Sequence, residues 1–139
     1  MNCLIAGPLP HSLAGEIMMR DGLGLETGGL SVFAGQVRAD IVEGRKVKAI
    51  EYSAYEAMVE KEVEAIRSQI MSVFSDVKTV SIIHSTGEVK AGELSLLVVI
   101  TAGHRDQAMR ACADTVELVK ERLPVWKKEL FEDTSYRWV

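Results

Sequence analysis

The chain has 139 residues, of which 47% are hydrophobic and 26% charged, a length that fits one domain over residues 1–139 and leaves no room for two independent cores. Its 16 Lys and Arg against 20 Asp and Glu give a net charge of −4, which excludes a strongly basic nucleic-acid footprint; 3 Pro and 11 Gly exclude a disordered or fibrous chain. The longest apolar run, Leu96–Ile100, is strand-sized, so no membrane span is expected.

The first residues, Met1 to Pro8, carry no basic segment ahead of an apolar core, and the expected location is the cytoplasm. Cys3 and Cys112 are too few and too far apart for a disulfide framework or a cysteine metal site. Cys112 lies between Ala111 and Ala113 in a helical pattern, where a small buried hydrophobe is the ordinary role. Sulfur carriage by that thiol would need an electropositive, exposed setting.

In chain order, Leu4-Ile5-Ala6 reads as a short strand, and Ser12 offers an N-cap for a short helix carrying Leu13, Ile17 and Met18. Asp21–Gly29 is a glycine-rich loop. Leu30–Arg38 alternates with period two and predicts a strand, followed by a polar loop over Ala39–Arg45. Val47–Ala54 reads as a further strand. A helix is expected from about Tyr55 to Met71, with Val59, Val63, Ile66 and Ile70 on one face. Val77–His84 and Leu94–Thr101 are two more strands, joined by a hairpin or small excursion containing Gly87 and Gly92. The second of these is apolar on both faces, which predicts a central place in its sheet. The last long helix runs from about Asp106 to Arg122, with Ala108, Cys112, Thr115/Val116 and Val119 inward, and Pro124 stops it. The tail ends on Tyr136-Arg137-Trp138-Val139, a candidate final strand. The order β-α-β-β-α-β-β-α-β predicts an α+β domain: a mixed, largely antiparallel sheet with packed helices and a small β elaboration.

Basic groups gather at three element ends. Arg38 closes its strand, His104-Arg105 open the second long helix, and Lys120, Lys127 and Lys128 surround its end near Pro124-Val125-Trp126. A strand end that meets a helix N-terminus favours anions, because free N–H groups and the helix dipole both point there. Each feature also has a plainer reading: a solvated arginine, a helix-start histidine bonded to backbone, lysines complementing a helix C-terminus. Lys120 stands apart, lying about 40° around the helix from Val116, at the border of the apolar stripe. A lysine withdrawn from water among other cations loses its proton more easily, which yields a neutral amine for base or nucleophile chemistry; snorkelling is the alternative. Gly22-Leu23-Gly24 follows no strand and is no dinucleotide fingerprint, and no recognisable metal-ligand pattern occurs.

Phe33-Ala34-Gly35-Gln36-Val37-Arg38, Ile50-Glu51-Tyr52-Ser53-Ala54-Tyr55 with Met58, Gly103-His104-Arg105 and Lys120 through Pro124-Val125-Trp126-Lys127-Lys128-Glu129 occur in one order and spacing. With the closing Arg137-Trp138-Val139, this set resembles the large, catalytic subunit of molybdopterin synthase over essentially the whole chain. The resemblance implies a sulfurtransferase that converts cyclic pyranopterin monophosphate to the molybdopterin dithiolene without metal or cofactor. Its sulfur would come as a thiocarboxylate on the C-terminal Gly-Gly of a small ubiquitin-like carrier subunit. Carried over by motif, Lys120 and Lys127 would be catalytic, while Arg38, His104, Arg105, Lys127 and Arg137 would bind substrate in one cavity. The resemblance also implies a homodimer at the centre of a heterotetramer, with Arg137 reaching the neighbouring site, and no nucleic-acid or membrane partner. An apolar groove leading to Lys120, bordered by Phe33, Met109 and the Trp126 region, is expected for the carrier's tail, since glycine has no side chain to clash in a narrow channel. Two places depart from the family pattern: the 39–46 loop lacks the usual Asn, and His84-Ser85-Thr86-Gly87 stands where relatives often have His-Arg-x-Gly. A non-enzymatic module holding a phosphorylated metabolite or a partner's tail is the alternative reading of the same basic groups.

Overall fold

The computed structural model describes residues 2–139. Three helices, α1 (Ser12–Asp21), α2 (Glu56–Val73) and α3 (Arg105–Arg122), pack on strands β1 (Leu4–Ala6), β2 (Gly29–Gln36), β3 (Ile41–Val42), β4 (Arg45–Ala54), β5 (Val77–Lys90), β6 (Leu94–Ala102), β7 (Val125–Phe131) and β8 (Tyr136–Trp138). The path across the sheet is β2-β6-β5-β4-β7-β8, with β1 on β5 and β3 on β4. Every pairing is antiparallel except β1 with β5, so the sheet is mixed and largely antiparallel as expected.

The apolar stripes decide the layers. Val59, Val63, Ile66 and Ile70 of α2, with Ala108, Ala111, Cys112 and Val119 of α3, cover one face of β5 and β6. Leu9 and α1 residues Leu13 and Ile17 cover the other face against Ile83, Leu97 and Val99. All nine residues of β6 are therefore buried, in keeping with its unbroken apolar run and its place between β2 and β5. A third, smaller cluster, Val37, Tyr52 and Val89, lies where the second half of the sheet begins.

Four local expectations are corrected. The first helix starts at Ser12 itself, with His11 in the cap position and no side-chain cap bond. The polar stretch 39–45 is not all loop: Ile41 and Val42 pair with Lys46 and Arg45 in a two-residue hairpin. The strand expected to reach Arg38 ends at Gln36, and Arg38 lies on the irregular exit. The strand expected to stop at His84 runs on to Lys90. Along that length β5 pairs first with β6 (Val77–His84), then with β4 (Gly87–Lys90). It changes partner at Gly87, whose φ of +77° is a left-handed backbone conformation that glycine adopts without strain. β5 therefore joins the helix-covered half of the sheet to the elaboration made by β3, β4, β7 and β8.

Candidate active site

Where the two halves meet, a cavity of about 290 Å³ opens, lined by Arg38, Tyr52, Ser95, Lys120, Lys127 and Glu129 among others. Three different elements deliver its cations. Arg38 follows the end of β2. Lys120 sits in the last turn of α3, which ends at Leu123 because Pro124 cannot continue it and holds the preceding residue extended. The chain re-enters the sheet at once as β7, where Lys127 lies opposite Tyr52 of β4. Val139 closes one side, its N–H donating to the Lys127 carbonyl at 2.9 Å.

Partial burial lowers the proton affinity of Lys120, and the nearby Lys127 and Arg38 cations lower it further, while Glu117 opposes them. The ammonium form is thus disfavoured relative to an ordinary lysine, the condition for a neutral amine to act as base or nucleophile. His84 of β5 is buried behind the site, its Nδ1 2.8 Å from the Ser85 carbonyl, and Tyr52 meets it edge-on at 5.0 Å. Burial foremost, then Lys120 and Lys127, lowers its pKa to about 4, so it stands as a neutral imidazole at pH 7.

Arg38, Lys120 and Lys127 share this cavity as expected; His104 and Arg105 do not. They stand at the opposite end of α3, which places Arg105 about 22 Å along the axis from Lys120 at 1.5 Å per residue. There they border a separate open groove with Gly28 and Gly103. The His104 backbone N–H donates to Asp76 Oδ2 at 2.7 Å, and its Nδ1 lies 3.1 Å from the same oxygen. The expectation of one cavity holding His104 and Arg105 together with Arg38, Lys120 and Lys127 therefore fails within a single chain. Arg137 is bound to Glu129 of its own chain, Nη2 to Oε1 at 2.7 Å, beside the cavity. Trp126 is exposed and points away from Lys127, because neighbouring residues of a strand face opposite sides. It does not border the groove expected for a tail. Phe33 and Met109 line an open groove of about 350 Å³ between β2 and α3, together with Val116 and Glu117, and Lys120 is not among its lining residues.

The motifs contained Tyr52 and Glu129 without marking them as site residues, and Ser95 lay outside every motif. Ser95 carried a readable signal, being one of two hydroxyl residues, with Thr101, in a largely apolar strand, where a buried polar atom needs a partner. Ser85 of the His84-Ser85-Thr86-Gly87 stretch is fully buried with no hydrogen bond to its Oγ, so no cation comes from that position. Cys112 is buried, and burial pushes its thiol up against a weaker pull from Ser31, as suits a core residue. Among the described residues no group of three or more His, Cys, Asp or Glu could hold a metal ion, and no helix is long and apolar enough to cross a membrane. A larger groove of about 490 Å³, lined by Arg20, Asp21, Arg67 and Ser81, lies elsewhere, and both of its arginines are already paired with carboxylates.

The chain forms a mixed-sheet α+β domain whose cavity gathers three cations, one of them a lysine of weakened basicity, with the carboxylates Asp40 and Glu129, Asp40 lying 3.4 Å from Arg38. Its sequence matches the MoaE protein family over residues 13–122. The molybdopterin synthase catalytic subunit of Pyrococcus abyssi is 42% identical over 113 residues, 81% of this chain and 74% of that protein. The crystal structure of molybdopterin synthase from Staphylococcus aureus superposes with a TM-score of 0.85 at 29% identity, covering 98% of this chain and 94% of that one. A complex of subunits 1 and 2 of the Helicobacter pylori molybdopterin-converting factor shares the fold, with a TM-score of 0.82 at 22% identity over 98% and 88% of the two chains. The chain belongs to the MoaE family of molybdopterin synthase catalytic subunits.

Proposed function

We propose that this chain is the sulfur-transferring subunit of a molybdopterin synthase. It takes sulfur from the C-terminal thiocarboxylate of a small ubiquitin-like carrier and delivers it to cyclic pyranopterin monophosphate in the cytoplasm. The observation that carries this reading is the convergence of Lys120, Lys127 and Arg38 on one cavity, with a partly apolar groove along the same helix, α3. The groove between Phe33 and Met109 receives the Gly-Gly tail, whose missing side chains let its backbone lie close against the surface. Lys127 and Arg38 hold the substrate's negative charge, preplaced where further charge develops.

Once the carrier's sulfur has bonded to the pterin, the carrier is held as a thioester. Water attacks the acyl carbon, the carbon–sulfur bond breaks, sulfur stays on the pterin as thiolate, and the carrier leaves as carboxylate with two protons released. Lys120, more readily neutral than an ordinary lysine, acts at this acyl centre as base or nucleophile. His104 and Arg105 are too far along α3 to touch the same substrate from the same chain. In a central homodimer the neighbouring protomer supplies them, and Arg137 must leave Glu129 to act across that interface.

Single-turnover conversion with thiocarboxylated carrier tests the reading. Lys120→Ala is expected to keep the fold and the carrier complex and to give no dithiolene product. Normal conversion by that variant refutes it. Calorimetric binding of substrate and carrier by the parent chain without any product would instead favour the non-enzymatic module.

A further inference from the structure

Ser95 occupies a special place in β6. Opposite it, β2 advances one residue, from Gly35 to Gln36, while β6 advances two, from Leu96 to Leu94. Ser95 is therefore the extra residue of a β-bulge, a device that bends a strand and re-aims a side chain. Its effect is visible in the flanking residues. Regular alternation would put Leu94 on the same side as Leu96, under α2 and α3, yet Leu94 packs with Leu97 and Val99 under α1. The irregularity frees Ser95 from that alternation, and it borders the cavity that holds Lys120 and Lys127.

The hydroxyl is also oriented. Tyr52, 6% exposed, donates from its phenol to Ser95 Oγ at 3.1 Å, and Ser95 is likewise 6% exposed. Tyr52 itself is fixed from two sides, by the edge-on contact with His84 and by the strand register that sets it opposite Lys127. A serine oxygen that accepts from a phenol keeps its own O–H for another acceptor. Among the described residues Ser95 Oγ has no second hydrogen-bond partner, and it lines the cavity. Such a buried, preoriented donor lowers a barrier when it points to an oxygen that gains charge during reaction.

We propose that Ser95, oriented by Tyr52, is the neutral hydrogen-bond donor to the acyl oxygen of the carrier's terminal carbonyl during thioester cleavage. This rests on the sulfur-transfer reading above. When water attacks the acyl carbon, the carbonyl π electrons move to that oxygen. They return as the carbon–sulfur bond breaks, so the donor is needed in the transition state and is neither consumed nor charged. Ser95 touches the reacting group; Tyr52 acts through it as a positioning residue.

The experiment is a double-mutant cycle in single-turnover conversion, using thiocarboxylated carrier with the full chain. Ser95→Ala is expected to slow the chemical step by about tenfold to a thousandfold, in the range of one oxyanion donor, with carrier affinity and KM within twofold of the parent. Tyr52→Phe slows it less, and the pair together is no slower than Ser95→Ala alone. Ser95→Thr restores most of the rate. Thermal unfolding of each variant separates a folding defect from a chemical one. A Ser95→Ala rate within twofold of the parent overturns the proposal, as does a double variant as slow as the product of the two single effects. Lys120→Ala distinguishes the levels: if it is inactive while Ser95→Ala is normal, only the role of Ser95 falls, whereas an active Lys120→Ala removes the sulfur-transfer reading itself.

Discussion

Acid should weaken this protein through His84 before it reaches any of the paired carboxylates. The unfolded imidazole takes up its proton near pH 6.5, whereas the buried one resists until about 4. Between those values the unfolded state binds more protons, so stability falls as pH drops through the window. Two and a half pH units at 1.36 kcal/mol each make about 3 kcal/mol, with a slope approaching one proton in mid-window. Asp21, held low by Arg20, Asp106, held low by Arg110, and Asp133, held low by Ser135, lose their contributions only as pH falls below 3.8, outside this range. Urea unfolding at fixed protein concentration, stepped from pH 7 to pH 4.5, measures the loss. His84→Phe keeps an aromatic ring against Tyr52, cannot be protonated, and should flatten the curve over the same interval. A parent protein equally stable at pH 7 and pH 4.5 would refute the reasoning, and so would an unchanged slope in the variant.

Three further outcomes follow from the site and its supports. The pH–rate limb governed by Lys120 should rise below the ordinary lysine range, move to higher pH in Arg38→Ala, and move to lower pH in Glu117→Gln, because the first removes a like charge and the second an opposite one. Single-turnover profiles of the three proteins check the two signs. Gly28→Ala would set a Cβ 2.3 Å from the Gly103 carbonyl oxygen, so chain must shift beside His104 and Arg105; a loss of about 1–3 kcal/mol in urea unfolding is expected. Arg137→Ala leaves Glu129, 8% exposed, without its partner, and should cost about 1–3 kcal/mol of stability even where no substrate is present. An Arg137→Ala protein as stable as the parent would show that the pair contributes nothing to the fold.

The helices were legible because their stripes are long and regular: Val59, Val63, Ile66 and Ile70 lie on the buried face that their spacing implies. β6 was legible as a central strand from its apolar run. The elaboration was less so, since Ile41 and Val42 form a strand of two residues, too short for any period to register. The continuation of β5 past His84 was hidden for a different reason. Gly87 reads as a turn signal, but here it lets one strand exchange neighbours without ending.

At the site, the motifs marked Arg38, Lys120 and Lys127, and the fold brings them together. The separation of His104 and Arg105 from Lys120 was itself readable, since the predicted helix places them at opposite ends of α3; the motif resemblance grouped them in one cavity regardless of that length. Ser95 stood out as a hydroxyl among apolar residues, but the bulge that frees it from the strand's alternation was hidden, because bulges depend on pairing between strands far apart in sequence, which no local pattern records.

The strand that exchanges neighbours has a mechanical consequence. Lys120 arrives from the helical half and Lys127 from the elaboration, so the gap between the two amines depends on how those halves meet along β5. Inserting one residue just after Gly87 would slip the β4 partnership by a single step and turn alternate side chains inside out. Such a chain could keep its helices and its central apolar layer and still hold its amines apart: folded, and without a reaction chamber.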